Sequence, residues 1–407
     1  MRLLYNIGIR LYWLMAWLVS PWNLKAKQWI NGRQAWHKKL SSAFNQEDRI
    51  TWFHCASLGE FEQGRPIIEA SRERFPGTKV LLTFFSPSGY EKRKNFEGAD
   101  YVMYLPLDTP KNARFLLDSL NIDRAIFIKY EFWYHFLKQL NVRSIPTYLA
   151  SANFRKGQIF FRWYGQWYKS FLHCFTHIFV QKEDSHALLK GIGFQDVTVA
   201  GDTRFDRVSE LPASPYSHKA LEDFLSGSKV LVAGSTWEKD ELLLAHAYKE
   251  LSKELLWVIA PHELSASHLN SLQKRFPGSV LFTELGEAVP TGTRVIIVDT
   301  IGQLSYLYRF GTLAYIGGGF GKGIHNILEA ATYGLPVFFG PAYHKFAEAV
   351  ELIELGGAFP VGGGEVLLST VHQQLDNPEL LKTTSRIAES FVRERVGATS
   401  RVLDICE

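Results

Sequence analysis

A glycine-rich stretch, YIGGGFGKGIHNILEAATYGLPVFFGP (residues 315–341), carries residue types suited to binding an anion. Its glycines permit close backbone approach, although the spacing is neither that of a Walker A loop nor GxGxxG. The residues that follow predict a helix of about ten residues with His325, Asn326 and Glu329 in its first turn. Such a helix N-terminus favours a nucleotide phosphate, and a carboxylate one turn in can accept both hydroxyls of a ribose. The alternative is that these side chains only cap the helix and complement its dipole.

The elements that position this stretch alternate between short apolar strands and helical segments. In the first half the predicted strands are ITWFHCAS, KVLLTFFS, RAIFIKY, SIPTYLA, HIFVQ and VTVAG; from Val230 they are VLVAGST, LLWVIAP, VLFT, RVIIVDT, LAYIGGG and PVFFGP. This alternation predicts an α/β fold of two doubly wound domains with parallel sheets covered by helices. Ligands bind outside the carboxyl ends of such strands, and that is where HCASLGE, FFSPSG, IKYEFW and GST occur.

The domain boundaries follow from composition and from the restart of the strand pattern. Residues 47–208 form the predicted N-terminal domain, and residues 225–407 form the C-terminal domain, whose last helices can pack back on the first. Residues 209–224, rich in proline and serine, are predicted to be a linker. Residues 1–46 form a separate basic and apolar segment.

The N-terminal segment has the composition of a membrane anchor. Residues 1–46 contain seven Lys and Arg and no acid, and the net charge of the whole chain is +4. Within it, LLYNIGIRLYWLMAWLVSPW (residues 3–22) is apolar and aromatic, lacks the cleavage site of a signal peptide and barely reaches the length of a spanning helix. We interpret it as an interfacial or shallowly inserted anchor; a true span and a buried amphipathic helix are the alternatives.

A second basic region, residues 132–182, also contains no acid and interleaves aromatic with basic side chains. This pattern suits anionic lipid headgroups or a phosphorylated ligand, and it also suits single-stranded nucleic acid. A core helix with one solvated face is the structural alternative. Because the N-terminal segment also points to a membrane, lipid is favoured and no nucleic-acid partner is predicted.

Cysteine usage and charge limit the remaining function classes. Cys55, Cys174 and Cys406 lie far apart without metal-ligand spacing, which fits a reducing compartment and argues against disulfides or a zinc site. The KDE run at residues 239–241 falls in a predicted helix and is interpreted as solvated charge.

The glycine-rich stretch belongs to a set of motifs that occur in a recognisable order. In the form GxHNxLEAAxxGxPVxxGP it resembles the donor-site signature of the Kdo transferases, which join 3-deoxy-D-manno-octulosonic acid (Kdo) from CMP-Kdo to lipid A precursors. The motifs that agree in order are SLGE (57–60), SPSG (86–89), YLPLD (104–108), EFW (131–133), SANFR (151–155), GST (234–236) and AP with His262.

The resemblance implies a GT-B fold, in which two Rossmann-like domains face a cleft and an N-terminal helix anchors the protein. It implies an inverting glycosyltransferase that uses no cofactor or metal, with Glu60 as catalytic base; Glu131 is the second catalytic candidate. The implied partners are CMP-Kdo, a tetraacyldisaccharide bisphosphate lipid A precursor and the membrane surface. The implied location is the cytoplasmic face of the inner membrane.

The resemblance also assigns binding roles, although each of these residues could instead be a turn residue or a surface charge. The donor-binding candidates are Ser235, Thr236, His262, Gly321, Gly323, His325, Asn326 and Glu329. The acceptor-binding candidates are Ser57, Gly59, Ser86, Ser88, Gly89, Asn153 and Arg155.

The chain departs from the family pattern at several positions. Lys129 replaces the first glutamate of ETELWP, APHELSA lacks two arginines of the usual APRHPER, and Lys345 stands in the usual NF pair. These changes indicate a divergent branch with altered acceptor contacts. A GT-B transferase for UDP or GDP sugars, a non-catalytic module that binds lipid or nucleotide, and an RNA-binding protein are the alternative functions.

Overall fold

Apolar runs and helical segments alternate to give two parallel sheets in the computed structural model of the protein, which describes residues 1–251 and 253–407. The strands are β1 (Arg49–Cys55), β2 (Thr78–Phe84), β3 (Tyr101–Tyr104), β4 (Asn121–Ile128), β5 (Thr147–Ala152), β6 (His177–Val180), β7 (Val197–Val199), β8 (Val230–Thr236), β9 (Leu256–Pro261), β10 (Val280–Leu281), β11 (Val295–Ile297), β12 (Leu313–Ile316), β13 (Val337–Phe339) and β14 (Ala358–Pro360). The two doubly wound α/β domains expected from the sequence are confirmed.

The helices cover the faces of these sheets. They are α1 (Arg2–Val19), α2 (Leu24–Asn31), α3 (Trp36–Ala43), α4 (Leu58–Arg74), α5 (Pro87–Arg93), α6 (Pro110–Ser119), α7 (Tyr134–Val142), α8 (Gln166–Leu172), α9 (Glu183–Gly191), α10 (Thr203–Ser209), α11 (Lys219–Leu225), α12 (Glu238–Glu250), α13 (Ala266–Arg275), α14 (Leu304–Leu307), α15 (Leu328–Ala331), α16 (Ala347–Leu355), α17 (Gly364–Leu375), α18 (Pro378–Arg393) and α19 (Ala398–Ile405). Short 3₁₀ helices occupy Ile159–Phe161, Phe282–Glu284 and Tyr308–Phe310.

The chain divides into two compact units. The first comprises Met1–Arg207 and Val396–Glu407, and the second comprises Val208–Arg395. The predicted linker, residues 209–224, is therefore part of the second unit and includes most of α11. The last helix, α19, belongs to the first unit, where it packs against α4.

Each unit has a seven-stranded sheet with β1 or β8 near its centre. The strand orders are β3-β2-β1-β4-β5-β6-β7 and β10-β11-β9-β8-β12-β13-β14. The central strands are buried on both faces, which explains their continuous apolar sequences. In both sheets the carboxyl ends of the central strands lie at one edge, where ligand-binding loops are expected. The edge strands β3 and β14 were not predicted.

The C-terminal helix α19 is held by the carboxylate of Asp206, which lies near the end of the segment Met1–Arg207. Asp206 accepts hydrogen bonds from the backbone amide of Gly397 and from the amide and hydroxyl of Thr399, the latter two at 2.6 and 2.7 Å. A carboxylate that receives the first amides of a helix serves as its N-cap. The return of the chain to the first unit therefore depends on Asp206.

The N-terminal 46 residues do not form one separate anchor segment. Helices α2 and α3 bury Trp29, Trp36 and Leu40 in the first unit. Arg33 donates to the carbonyls of Leu105 at 2.8 Å and Phe85 at 2.9 Å. In contrast, α1 contains no buried residue. Within the described part of the chain, no helix is both long and apolar enough to cross a bilayer.

Helix α1 is docked through one side by hydrogen bonds to α7 and the loop before α6. The Tyr5 hydroxyl donates to Asp108 at 2.5 Å, and Asn6 Oδ1 lies 2.6 Å from His135 Nε2. Asp108 also accepts the backbone amides of His135 at 3.0 Å and Phe136 at 3.1 Å. This buried carboxylate, the last residue of the YLPLD motif, therefore caps α7 and fixes α1 at the same time.

We expect Asp108 to make stability fall as pH rises. Burial raises the pKa of Asp108 from 3.8 to about 6, and its hydrogen bonds only partly oppose this. Because its pKa is higher in the folded state, Asp108 holds its proton more tightly there than in the unfolded chain. The stability that this proton contributes is complete below pH 3.8 and is lost as pH rises through about 6. At ~1.4 kcal/mol per pH unit, the loss is about 3 kcal/mol.

Urea unfolding of wild type and Asp108→Asn between pH 3.5 and 7 measures this effect. The amide cannot ionise, so the stability of wild type relative to the variant should decline across this range. Parallel pH profiles for the two proteins would contradict the assignment.

Candidate active site

The carboxylate of Glu60 stands in the first turn of α4, directly after the carboxyl end of β1. Its side chain is half-buried, and its Oε2 accepts a hydrogen bond from the hydroxyl of Ser57, the N-cap residue. In the part of the chain that the structure describes, Ser57 is the one hydrogen-bond partner of this carboxylate. Glu60 thus has an oriented carboxylate with Oε1 available to accept a proton. Gly59 beside it is exposed.

Glu131, the second catalytic candidate, has a different environment. It follows β4 and is only 9% exposed. Its Oε2 lies 3.0 Å from His54 Nε2 and accepts a hydrogen bond from Trp133 Nε1 at 2.7 Å. On its other side, the His54 ring contacts Thr83 through Nδ1, at 2.9 Å from the hydroxyl oxygen. This buried network favours a positioning role for Glu131 and leaves Glu60 as the stronger candidate for the base.

The buried thiol of Cys55 feels the charges of both carboxylates. Burial, followed by the negative charges of Glu60 and Glu131, raises the pKa of Cys55 well above its usual value. Because Coulomb interactions weaken with distance, both charges must lie near this thiol. Because β1 and β4 are neighbouring parallel strands, Glu60 and Glu131 follow strand ends at the same edge of the sheet.

The SPSG motif packs directly on the loop that carries Ser57. The amide of Ser86 donates to the carbonyl of Ala56 at 2.7 Å, and Ser86 caps α5 by accepting the amide of Ser88 at 3.3 Å. A Cβ on Gly89 would lie 2.3 Å from the Phe84 ring and 3.1 Å from the carbonyl carbon of Ser57. Glycine is therefore needed for the two loops to approach this closely.

Asn153 and Arg155 follow β5, which lies two strands from β1 in the sheet. Asn153 Oδ1 accepts the hydroxyl of Ser185 at 3.3 Å, which directs its amide nitrogen away from Ser185. The Arg155 side chain is exposed. The structure therefore places these two residues on the same sheet edge as Glu60 but beyond Glu131.

The donor-binding candidates lie in the second unit, around the carboxyl ends of β8 and β12. Ser235 has a φ of +54° at a point where the pairing of β8 with β9 shifts register. A Cβ on Gly317 would lie 2.2 Å from the carbonyl oxygen of Ser235. Ser235 and the glycine-rich loop are thus in direct backbone contact, whereas the hydroxyl of Thr236 is buried and 3.3 Å from Glu241.

Asp240 holds the glycine-rich loop in place, a role that the sequence analysis missed. It is 1% exposed and accepts the backbone amides of Gly318 at 2.8 Å and Trp237 at 2.9 Å. Its other oxygen accepts the hydroxyl of Tyr315 at 2.8 Å. The interpretation of the KDE run as solvated charge is therefore wrong for Asp240.

The same interpretation is wrong for Glu241, which is fully buried. Its carboxylate lies 2.8 Å from His268 Nε2 and accepts a hydrogen bond from Arg275 at 3.0 Å. These contacts join α12 to α13 and satisfy the charge inside the unit.

The predicted helix of about ten residues after the loop is also wrong. Helix α15 spans only Leu328–Ala331. His325 and Asn326 precede it, because Asn326 folds back and accepts the amide of Leu328 at 3.2 Å. Its Nδ2 donates to Glu329 at 3.1 Å. Local side-chain bonds of this kind compete with helix formation.

Within the loop, Gly321 and Gly323 close a tight turn. The amides of both residues reach the carbonyl of Gly318, at 3.0 and 3.4 Å. Gly323 has a φ of +143°, and a Cβ there would lie 2.7 Å from the Phe346 ring. Gly323 is therefore fixed as glycine by both backbone conformation and packing.

Three rings stack beside this loop. His262 lies between Trp237 and His325, with ring centroids 4.5 and 4.7 Å away. The Trp237 indole N–H donates to His325 Nε2 at 3.0 Å, so this nitrogen is unprotonated. Burial, followed by the neighbouring His262, lowers the pKa of His325. His325 is thus a neutral ring whose Nδ1–H can donate to an anionic ligand.

The site has no arrangement for a metal. In residues 1–251 and 253–407, no group of three or more His, Cys, Asp and Glu side chains could hold an ion.

Comparison with known proteins finds similarity to Kdo transferases along most of the chain. Residues 32–207 match the family model described as 3-deoxy-D-manno-octulosonic-acid transferase (kdotransferase). The chain is 27% identical over 381 residues to the 3-deoxy-D-manno-octulosonic acid transferase of Bordetella pertussis, covering 88% of this chain and 86% of the relative. It is 28% identical over 346 residues to the 3-deoxy-D-manno-octulosonic acid transferase of Aquifex aeolicus, and the alignment covers 83% of this chain and 89% of the relative. Residues 32–207 thus match a Kdo transferase domain, and most of the chain is similar to Kdo transferases. These relatives support the assignment of the chain as a glycosyltransferase.

Solved structures confirm the GT-B fold of the chain. UDP-GlcNAc 2-epimerase from Neisseria meningitidis aligns with a TM-score of 0.60 at 16% identity, covering 88% of this chain and 98% of that chain. MurG from Acinetobacter baumannii aligns with a TM-score of 0.54 at 14% identity and the same coverage. At these identities the likeness concerns the fold.

Proposed function

We propose that the protein transfers Kdo from CMP-Kdo to a phosphorylated lipid A precursor, with inversion at the anomeric carbon. The observation that carries this proposal is the Glu60 carboxylate, which Ser57 orients at the carboxyl edge of the first unit's sheet. An inverting transfer needs one carboxylate to take the proton of the attacking hydroxyl. The relatives are named as Kdo transferases, and this supports Kdo as the transferred sugar.

The reaction then proceeds in one displacement. The acceptor hydroxyl oxygen forms a bond to the anomeric carbon of Kdo as its proton passes to Glu60 Oε1. The bond between the anomeric carbon and the CMP phosphate oxygen breaks, and CMP leaves with that electron pair. Ser57 keeps Oε2 occupied, so that Oε1 is the atom presented to the hydroxyl.

The second unit supplies the donor-binding groups. The Nδ1–H of His325 and the backbone amides of the glycine-rich loop can donate hydrogen bonds to the CMP phosphate. The Ser235 hydroxyl, held at a strained backbone position, is a further donor. Asn326 donates a hydrogen bond to one oxygen of Glu329, and we assign the Glu329 carboxylate to a ribose hydroxyl of the donor.

Nucleotide selectivity tests the donor assignment. Calorimetric titration of the purified protein should give tighter binding of CMP than of UMP or GMP, by about tenfold or more if the base is read through buried hydrogen bonds. Equal or tighter binding of UMP would favour the alternative of a transferase that uses a UDP sugar.

The location we propose is the cytoplasmic face of the inner membrane, with α1 lying in the interface. Tyr5 and Tyr12 face the protein, while most apolar side chains of α1 point outward; Leu4, Leu11 and Leu18 are 62%, 54% and 46% exposed. A contiguous exposed apolar face flanked by basic residues is typical of interfacial membrane binding.

We expect the combined substitutions Leu4→Glu, Leu11→Glu and Leu18→Glu to abolish flotation with vesicles that contain phosphatidylglycerol. The thermal unfolding temperature should stay unchanged, because α1 has no buried residue. Three exposed apolar residues of the second unit, Leu242, Ile301 and Val366, provide the matched control when changed to Glu. Retained flotation of the α1 variant would contradict the proposed interface.

A further inference from the structure

A cavity of about 680 Å³ lies in the first unit, between α9 and the segment that follows β5. Its apolar part includes Phe161, Leu188 and Ile192, and its rim carries Arg155, Lys156 and Lys182. This volume falls within the range of sites that hold small organic ligands. The cavity therefore combines an apolar interior with a cationic entrance.

The rim cations are available to a ligand. Among the described residues, the side chains of Arg155, Lys156 and Lys182 have no protein hydrogen bond or ion pair, and all three are exposed. One acid, Asp184, also lines the cavity, which leaves a net positive rim. Arginine and lysine together suit a phosphate group, because guanidinium binds it bidentately and ammonium neutralises its charge.

The backbone around the entrance is well fixed. The buried Ser185 hydroxyl accepts the amide of Phe154 at 2.8 Å, and its oxygen lies 3.1 Å from the Phe154 carbonyl oxygen and 3.3 Å from Asn153 Oδ1. These bonds tie the start of α9 to the chain after β5. Asn153 itself also lines the cavity.

We propose that this cavity binds one phosphate and the adjoining stretch of an acyl chain of the lipid acceptor. This proposal rests on the proposed function, and it names a subsite for the same reaction. A phosphate suits the cationic rim, and a hydrocarbon chain suits the interior formed by phenylalanine, leucine and isoleucine. A nucleotide base fits less well, because the apolar interior offers few hydrogen-bonding groups to its edges.

The distance between Glu60 and the cavity allows one acceptor molecule to reach both. Parallel strands lie about 4.8 Å apart, so the ends of β5 and β6 lie roughly 10 to 15 Å from the end of β1. A disaccharide acceptor with its hydroxyl at Glu60 can extend over this distance. The subsite would then select for phosphorylated, acylated acceptors without touching the reacting atoms.

Gly191 allows the cavity to be filled without disturbing the fold. It lines the cavity at the end of α9, and a Cβ there meets no atom within 4 Å. In a detergent assay of Kdo transfer to a bisphosphorylated tetraacyl disaccharide, we expect Gly191→Phe to raise the acceptor KM about tenfold or more, while the donor KM is unchanged. Gly286→Phe, at an open and exposed position in the second unit, is the control.

The cationic rim is tested by changing Arg155, Lys156 and Lys182 together to Gln. We expect wild type to have a higher kcat/KM for the bisphosphorylated acceptor than for its dephosphorylated form. In the variant, the ratio of these two kcat/KM values should fall about tenfold. Lys38, Lys111 and Lys138, changed to Gln, give the same loss of charge outside the cavity. An unchanged preference in the rim variant would overturn the proposal.

A binding measurement separates this proposal from the proposed function. Calorimetric titration with monomeric decyl phosphate should show binding to wild type that is lost in Gly191→Phe, whether or not the protein transfers Kdo. Suppose that wild type binds decyl phosphate, that Gly191→Phe does not, and that wild type transfers no Kdo. The proposed function and the acceptor assignment of the cavity would then both be wrong, and the cavity would remain a binding site for phosphate amphiphiles. If Gly191→Phe loses binding to phosphatidylglycerol vesicles but keeps the acceptor KM, the occupant is a bilayer phospholipid and the acceptor assignment is wrong.

Discussion

Glu60→Gln should reduce kcat for Kdo transfer by about 10² to 10⁴, the range that general-base catalysis contributes. The amide keeps the shape of the side chain and can still accept the Ser57 hydroxyl, but it cannot take a proton from the acceptor. Because the side chain is only half-buried, the unfolding temperature should change little. Acceptor KM should also stay close to that of wild type, because the lost interaction belongs to the transition state.

Glu73→Gln is the matched control, because it changes another glutamate of α4 that is exposed. Initial rates for the three proteins at saturating donor give the comparison. Transfer that survives Glu60→Gln would move the base elsewhere, with Glu131 as the next candidate. The contacts of Glu131 with His54 and Trp133 make us expect a different result for Glu131→Gln, namely loss of stability together with activity.

Asp240→Ala should destabilise the second unit by about 3 to 5 kcal/mol, because it leaves two backbone amides and a tyrosine hydroxyl without their acceptor. Those groups belong to Gly318, Trp237 and Tyr315. The same change should weaken CMP binding by about tenfold or more, since the glycine-rich loop is no longer held against α12. Urea unfolding and calorimetric titration with CMP measure the two effects.

Asp240→Asn provides a conservative comparison. Its amide oxygen can still accept from Gly318 and Trp237, and its nitrogen can donate to the Tyr315 hydroxyl, so most stability and CMP affinity should return. Asp376→Ala removes an exposed acid of the same unit and should change neither property. If Asp240→Ala bound CMP as wild type does, the loop would not depend on this carboxylate.

The fold was largely predictable because its strands are buried on both faces. Each predicted apolar run corresponds to a strand from β1, β2 and β4–β13. The edge strands β3 and β14 are short and partly exposed, so their sequences lack that signal. The return of α19 to the first unit depends on Asp206, a contact between residues 191 positions apart in the chain. No local pattern reveals such a pairing.

The candidate site was predictable where a motif lies at a strand end, and not where a side chain acts from a neighbouring helix. Glu60 and the glycine-rich loop were found in this way. Asp240 was missed because charged residues in a helix are usually solvated, and burial depends on the facing loop. One signal was available, since an acidic residue three positions after the helix N-cap, here Trp237, can accept the backbone amide of that residue, as in a capping box.

The error after the glycine-rich loop has a local cause. Apolar spacing around Leu328 resembles a longer helix, but Asn326 bonds to the backbone two residues ahead and delays helix formation. Similarly, the N-terminal 46 residues have a uniformly basic composition, yet Trp29, Trp36 and Leu40 belong to the core of the first unit. Composition alone does not separate a docked helix from an exposed one.

Release of CMP from CMP-Kdo is the direct measure of the proposed transfer. The purified protein in detergent would be assayed with and without a tetraacylated, bisphosphorylated lipid A precursor, and the acceptor would be analysed by mass spectrometry. We expect CMP release that depends on the acceptor, and an acceptor that gains the mass of Kdo. Absence of both, under conditions where the protein still binds CMP, would contradict the proposed transfer.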